Sequence, residues 1–80
     1  MLEGILRGEL PCQVFRDLIE VDPKLTNIRL SEIFHEGFIG VDSLAMQLIW
    51  HWRGPGKSEG VIDESLSAEL LVMLKSAGYL

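Results

Sequence analysis

The sequence is poor in the features that mark secretion and membrane insertion. A single cysteine, Cys12, excludes an internal disulfide. No apolar run approaches the roughly 18 residues that a transmembrane helix needs, and residues 1–10 carry charged side chains where a secretion signal would be apolar. These absences predict a soluble, cytoplasmic protein that has no membrane partner.

Positive charge is also scarce. Seven lysines and arginines stand against twelve aspartates and glutamates, which gives a formal net charge of −5. The basic residues are scattered along the chain, and they therefore form no patch that would overcome repulsion by a phosphate backbone. Nucleic acid is for this reason not an expected partner.

What the sequence has in quantity is apolar side chain, which makes up 48% of its 80 residues. A domain of this size buries only about 60% of the surface that its unfolded chain exposes. We therefore expect that part of the apolar surface remains uncovered and is available to a partner or to a second copy of the chain.

Apolar residues recur at intervals of three and four along most of the chain, which is typical of helices. The pattern predicts an all-α fold, a compact bundle of four or five short helices that forms a single domain over residues 1–80. Residues 1–10 should form a weak helix at most, because Gly4 and Gly8 each cost about 1 kcal/mol relative to alanine. The later helices are expected to start at Pro11, at Thr26 or Asn27, at Asp42 or Ser43, and at a capping Asp63.

The helix that follows Ser43 is expected to run to about Arg53, before Gly54 and Pro55 break it. Its apolar residues cover nearly the whole circumference instead of one stripe. This distribution predicts a central helix that is buried on several sides.

The string Gly40-Val41-Asp42-Ser43-Leu44 resembles the attachment site of acyl and peptidyl carrier proteins. The resemblance implies a four-helix bundle in which Ser43 carries phosphopantetheine and Asp42 helps to orient the modifying enzyme. Carrier proteins usually continue into an acidic helix, whereas residues 44–53 contain no carboxylate. A carrier modified at Ser43 is therefore an alternative. We expect no cofactor except phosphopantetheine under that alternative.

A second alternative is a DNA-binding helix-turn-helix over residues 30–53, with its turn at 37–41. A recognition helix needs several long polar or basic side chains that reach base edges. This one would offer chiefly Gln47 and Arg53.

The sequence shows no spacing that is typical of catalysis or of metal binding. His35 and His51 lie in different predicted helices without a close Cys or His companion, as a zinc site would require. Gly56-Lys57-Ser58 resembles the end of a phosphate-binding loop, but position 51 is not the glycine that such a loop needs. We therefore expect no enzyme, no metal ion and no catalytic residue.

Two tryptophans, Trp50 and Trp52, fall in the apolar helix. Positions two apart on a helix are separated by about 200°, so that Trp50 should face solvent or a partner if Trp52 packs inward. We therefore predict a non-enzymatic interaction or regulatory module, which docks an apolar helix face with an acidic rim on another protein or on itself as a homodimer. The expected partner-binding residues are Trp50, Arg53, Met46, Glu36 and Glu59, and the rim would also include Glu32, Asp63 and Glu64.

Overall fold

The structure, a computed structural model, describes all 80 residues and contains five helices. No strand is present, and the one extended pairing is an isolated parallel bridge between Trp52 and Val61. The predicted all-α bundle of short helices is confirmed. The helices are α1 (Glu3–Leu6), α2 (Pro11–Val21), α3 (Asn27–Gly37), α4 (Leu44–Trp50) and α5 (Asp63–Ser76).

Local sequence explains most of the helix starts. Pro11 occupies the first turn of α2, where its missing N–H would have no partner. Thr26 caps α3 by accepting a hydrogen bond from the Arg29 N–H at 3.1 Å. Asp42, rather than Ser43, supplies the side-chain oxygen at the start of α4, which accepts from the Leu44 N–H at 2.9 Å.

Helix α4 ends at Trp50, so the expectation that it continues to Arg53 is wrong. The Arg53 N–H bonds to the Val61 carbonyl at 2.8 Å instead of to a carbonyl one turn earlier. The side chain of Asn27 donates to the carbonyls of Trp50 and Trp52 at 3.2 and 2.8 Å. These tertiary bonds draw the backbone out of the helix, because they satisfy groups that a longer helix would pair internally.

Helix α4 is also less buried than expected, since we predicted a central helix that is covered on several sides. Only Ala45 and Ile49 are buried, while Leu44 and Trp50 expose 46% and 45% of their surface. The helix packs chiefly on α3 and also contacts α5, which leaves its remaining side open.

Helix α5 begins at Asp63 as expected, but Asp63 is not its cap. Ile62 precedes the helix and makes no side-chain capping bond. The Asp63 carboxylate instead binds Arg16 and Trp52, which lie in other parts of the chain.

Five aromatic rings form a continuous row through the core. Trp52 packs on Phe15 with centroids 5.7 Å apart, Phe15 meets Phe34 at 6.3 Å, and Phe34 meets Phe38 at 5.0 Å. Tyr79 then covers Phe38 at 5.0 Å. The row spans α2, α3, the segment after α4 and the C-terminus, and the aliphatic part of the core surrounds it with Leu2, Ile5, Leu30, Ile49, Leu66, Leu70 and Leu74.

One end of the aromatic row is fixed by a polar cluster around Trp52. The Trp52 indole N–H donates to Asp63 Oδ1 at 2.9 Å, and Arg16 donates to both oxygens of that carboxylate at 2.8 and 2.9 Å. The Arg16 guanidinium also lies 5.4 Å from the centre of the Trp52 ring, within the range of a cation–π contact. The hydrogen bonds from Arg16 and Trp52 hold the pKa of Asp63 below its usual value.

Asp63→Asn should lower the free energy of unfolding by about 1 kcal/mol at pH 7, because it weakens a partly exposed ion pair. The folded-state pKa lies below the unfolded value of about 4. The stabilisation is therefore present above that value and is lost as the pH falls through the folded pKa. Urea unfolding between pH 7 and pH 2 should show wild type and variant converging at the acidic end. Glu64→Gln, on the exposed neighbour, is the control, and a difference that is constant with pH would contradict the assignment.

Candidate functional site

The two tryptophans are divided between core and surface. Trp52 is 1% exposed, whereas Trp50, the last residue of α4, is 45% exposed. The expected division is confirmed, although its cause differs from the one we predicted. Trp52 lies beyond the end of α4, and the change of backbone direction after Trp50 turns it inward.

The exposed indole of Trp50 is held in one orientation by the neighbouring helix. Its N–H donates to the hydroxyl of Ser31 at 2.6 Å, and the same hydroxyl donates to the Ile28 carbonyl at 2.6 Å. Ser31 is fully buried, so the chain of hydrogen bonds is anchored inside the protein. The one polar atom of the indole is thereby used within the chain, and the ring presents only carbon to solvent.

Helical spacing places two apolar residues on the same side of the protein as Trp50, and we call these three residues the Trp50 surface. Ile28 is 64% exposed and lies one helical turn before Ser31 on α3. Met46 is half-buried and lies one turn before Trp50 on α4. The structure therefore places two of the five predicted partner-binding residues, Trp50 and Met46, on one side of α4.

Glu36 lies elsewhere on α3. It follows Ser31 by five residues, which places it about 140° further round the helix. Its carboxylate pairs with Arg29 at 3.8 Å, and it borders a groove that also contains Met1 and Leu6. Glu36 therefore does not share one patch with Trp50, and this could not be predicted because it depends on how α3 and α4 pack.

Arg53 and Glu59 are both exposed and belong to the loop that follows α4. This loop is closed at its base by two backbone hydrogen bonds, from Arg53 N–H to the Val61 carbonyl at 2.8 Å and from Val61 N–H to the His51 carbonyl at 2.7 Å. Gly60 makes the closure possible, since its φ is +126° and a Cβ at this position would lie 2.5 Å from the His51 oxygen.

Two carboxylates of the expected acidic rim are engaged by other side chains of the protein and are less available to a partner. Asp63 is bound to Arg16 and Trp52, and Glu32 pairs with Arg29 at 3.6 Å. Two residues of the site, Ile28 and Ser31, were not predicted. A serine and an isoleucine in a helix do not by themselves indicate a binding site. They gain a role only because α3 packs on α4 and brings the Trp50 indole to Ser31.

Ser43 is exposed at the start of α4 and its side chain makes no capping bond there. The helix that follows it exposes Leu44, Gln47 and Trp50, with no acidic side chain among residues 44–50. The same residues form the second helix of the helix-turn-helix alternative and contain no lysine or arginine. Both alternatives stay predictions.

The remaining reactive residues are kept apart or buried. No three His, Cys, Asp or Glu side chains lie close enough to hold one metal ion. Cys12 is buried with its thiol 3.5 Å from the Asp63 carbonyl, and burial raises its pKa, which keeps the sulfur protonated at neutral pH. No helix combines the length and the apolar character needed to cross a bilayer.

Gly60→Ala should destabilise the protein by about 3 kcal/mol, since the new methyl group would meet backbone in addition to forcing an unfavourable φ. Gly56→Ala is the matched control in the same loop. Its φ is +79° and its Cβ would meet nothing within 4 Å, so the cost there should be about 1 kcal/mol. Urea unfolding measures both variants, and equal destabilisation by the two would refute the closed loop.

Comparison with known proteins provides no relative from which a function could be transferred. The chain has no significant match to a protein-family model, to a curated protein or to a solved structure.

Proposed function

We propose that the protein is a non-enzymatic interaction module that docks a protein partner through the Trp50 surface. The observation that carries this proposal is the state of Trp50, a large ring that is exposed yet fixed by a hydrogen bond to a buried serine. Binding would act by tethering the partner or by occluding part of its surface.

Exposure alone would not support a binding role. Eleven large apolar side chains are exposed in this protein, and apolar residues scattered singly over a surface are normal. Trp50 differs because its ring is held in place and because Met46 lies one helical turn from it and Ile28 one turn from its partner Ser31. Tryptophan is also among the residues that most often dominate the energy of protein interfaces.

The hydrogen bond from Trp50 to Ser31 makes docking favourable in two ways. A ring that is already fixed loses little conformational entropy when a partner covers it. Its N–H is already satisfied, so covering it leaves no buried polar group without a partner. The complementary surface would therefore be apolar or would place a cation over the ring.

The charge of the chain favours a basic partner over a second copy. Two copies that each carry a net charge of −5 repel one another, whereas a surface rimmed by lysine or arginine is attracted. We therefore propose a different protein as the partner, with a homodimer as the alternative outcome of the test.

Trp50→Ala should weaken binding to the partner by more than about 2 kcal/mol, because it removes the central anchor. Ile28→Ala should weaken it as well, because it removes apolar contact area without adding a charge or removing a side-chain hydrogen bond. Val72→Ala is the matched control, since Val72 is 65% exposed on α5. A pull-down with wild type and with each variant would identify the proteins that wild type captures and that both Trp50 surface variants fail to capture. Titration calorimetry would then measure their affinities for each variant.

Thermal unfolding of each variant separates loss of binding from loss of fold. A captured protein that binds Trp50→Ala as tightly as wild type would refute the proposed surface. Sedimentation of the chain alone tests the homodimer, which should dissociate in the Trp50→Ala variant if the surface is self-complementary.

A further inference from the structure

A concave site lies between the connection from α2 to α3 and the loop after α4. It encloses about 530 Å³, which is within the range of small-molecule sites. Its walls are apolar on two sides, with Ile19, Pro23 and Leu25 on the first and Pro55 on the second. The Trp50 surface supplies none of its lining residues.

Asn27 lies at the base of this cavity and is only 9% exposed. Its Nδ2 donates to the carbonyls of Trp50 and Trp52, so both of its N–H groups are used and the plane of the amide is fixed. Oδ1 then points towards Gly54, where it lies 3.6 Å from the position of an added Cβ.

The Asn27 Oδ1 atom accepts no hydrogen bond from any group of the protein. The atom is not fully buried, because every fully buried side-chain oxygen or nitrogen in the protein has a hydrogen-bond partner and this one has none. Asn27 lines the cavity and its Oδ1 lies beside Gly54, another lining residue, so that a ligand N–H which reaches this point can satisfy it.

Lys57 supplies the charge at the mouth of the cavity. It is exposed, lines the site and takes part in no ion pair. An anionic group that comes to rest there would gain a charge-assisted contact. The three features together suit a small ligand that carries an N–H donor, an apolar group and an anion.

We propose that this cavity binds an N-acylated amino acid unit with an apolar side chain. The amide N–H donates to Asn27 Oδ1, the side chain packs between Pro23 and Pro55, and the carboxylate faces Lys57. The same unit occurs in a free N-acyl amino acid and at the C-terminus of a polypeptide, and a peptide that ends in leucine distinguishes these sources.

The probe is N-acetyl-leucine, titrated into the ¹⁵N-labelled full chain. Its size predicts a Kd on the order of 1 mM, with saturable shifts of the backbone amides of Gly54, Gly56 and Lys57. N-acetyl-N-methyl-leucine lacks the N–H and should bind about tenfold more weakly. N-acetyl-leucinamide lacks the carboxylate and should lose about fivefold.

Protein variants complement the ligand series without disturbing Asn27, which the fold needs. Lys57→Gln should weaken N-acetyl-leucine about fivefold and should abolish the difference between the acid and its amide. Lys75→Gln, near the end of α5, is the matched control and should leave the Kd unchanged.

A pentapeptide ending in leucine identifies the source of the ligand. Binding more than about tenfold tighter than that of N-acetyl-leucine assigns the site to polypeptide C-termini, whereas equal binding assigns it to the small molecule. The proposal is overturned if no saturable shift occurs at residues 54–57, or if binding is unchanged by N-methylation.

Discussion

The burial of the Trp52 ring in the core is the constraint on which the rest of the structure depends. The hydrogen bond from its indole to Asp63 ties the segment after α4 to the first residue of α5, and Arg16 joins α2 to the same carboxylate. The Trp52 ring packs on Phe15, which begins the aromatic row through the core. An 80-residue domain has little surface to bury, and this single contact point connects three of its helical segments.

The same constraint creates the surface that we propose to be functional. Asn27 and the bridge to Val61 pull the chain out of α4 immediately after Trp50, which turns Trp52 inward and leaves Trp50 outside. Ser31 then fixes the exposed ring. The anchor of the docking surface is thus positioned by the bonds that also complete the fold.

The helical class and most helix starts could be predicted, because periodicity and capping chemistry are local. The end of α4 could not, since it is set by bonds to Asn27 and Val61 that are distant in sequence. Asp63 shows the same limit: its position before an apolar stripe indicates a cap, but Arg16 and Trp52 compete for its carboxylate. Of the candidate site, the exposure of Trp50 was predictable, whereas its contacts with Ser31 and Ile28 required the packing of α3 on α4.

Hydrogen exchange of the two indole N–H groups, followed by NMR, tests the central claim most directly. The account predicts that the Trp52 N–H exchanges only through global unfolding, while the Trp50 N–H, bonded at the surface, exchanges by local opening at least about 100-fold faster. Equal rates for the two indoles, or faster exchange at Trp52, would contradict the division of the tryptophans between core and surface.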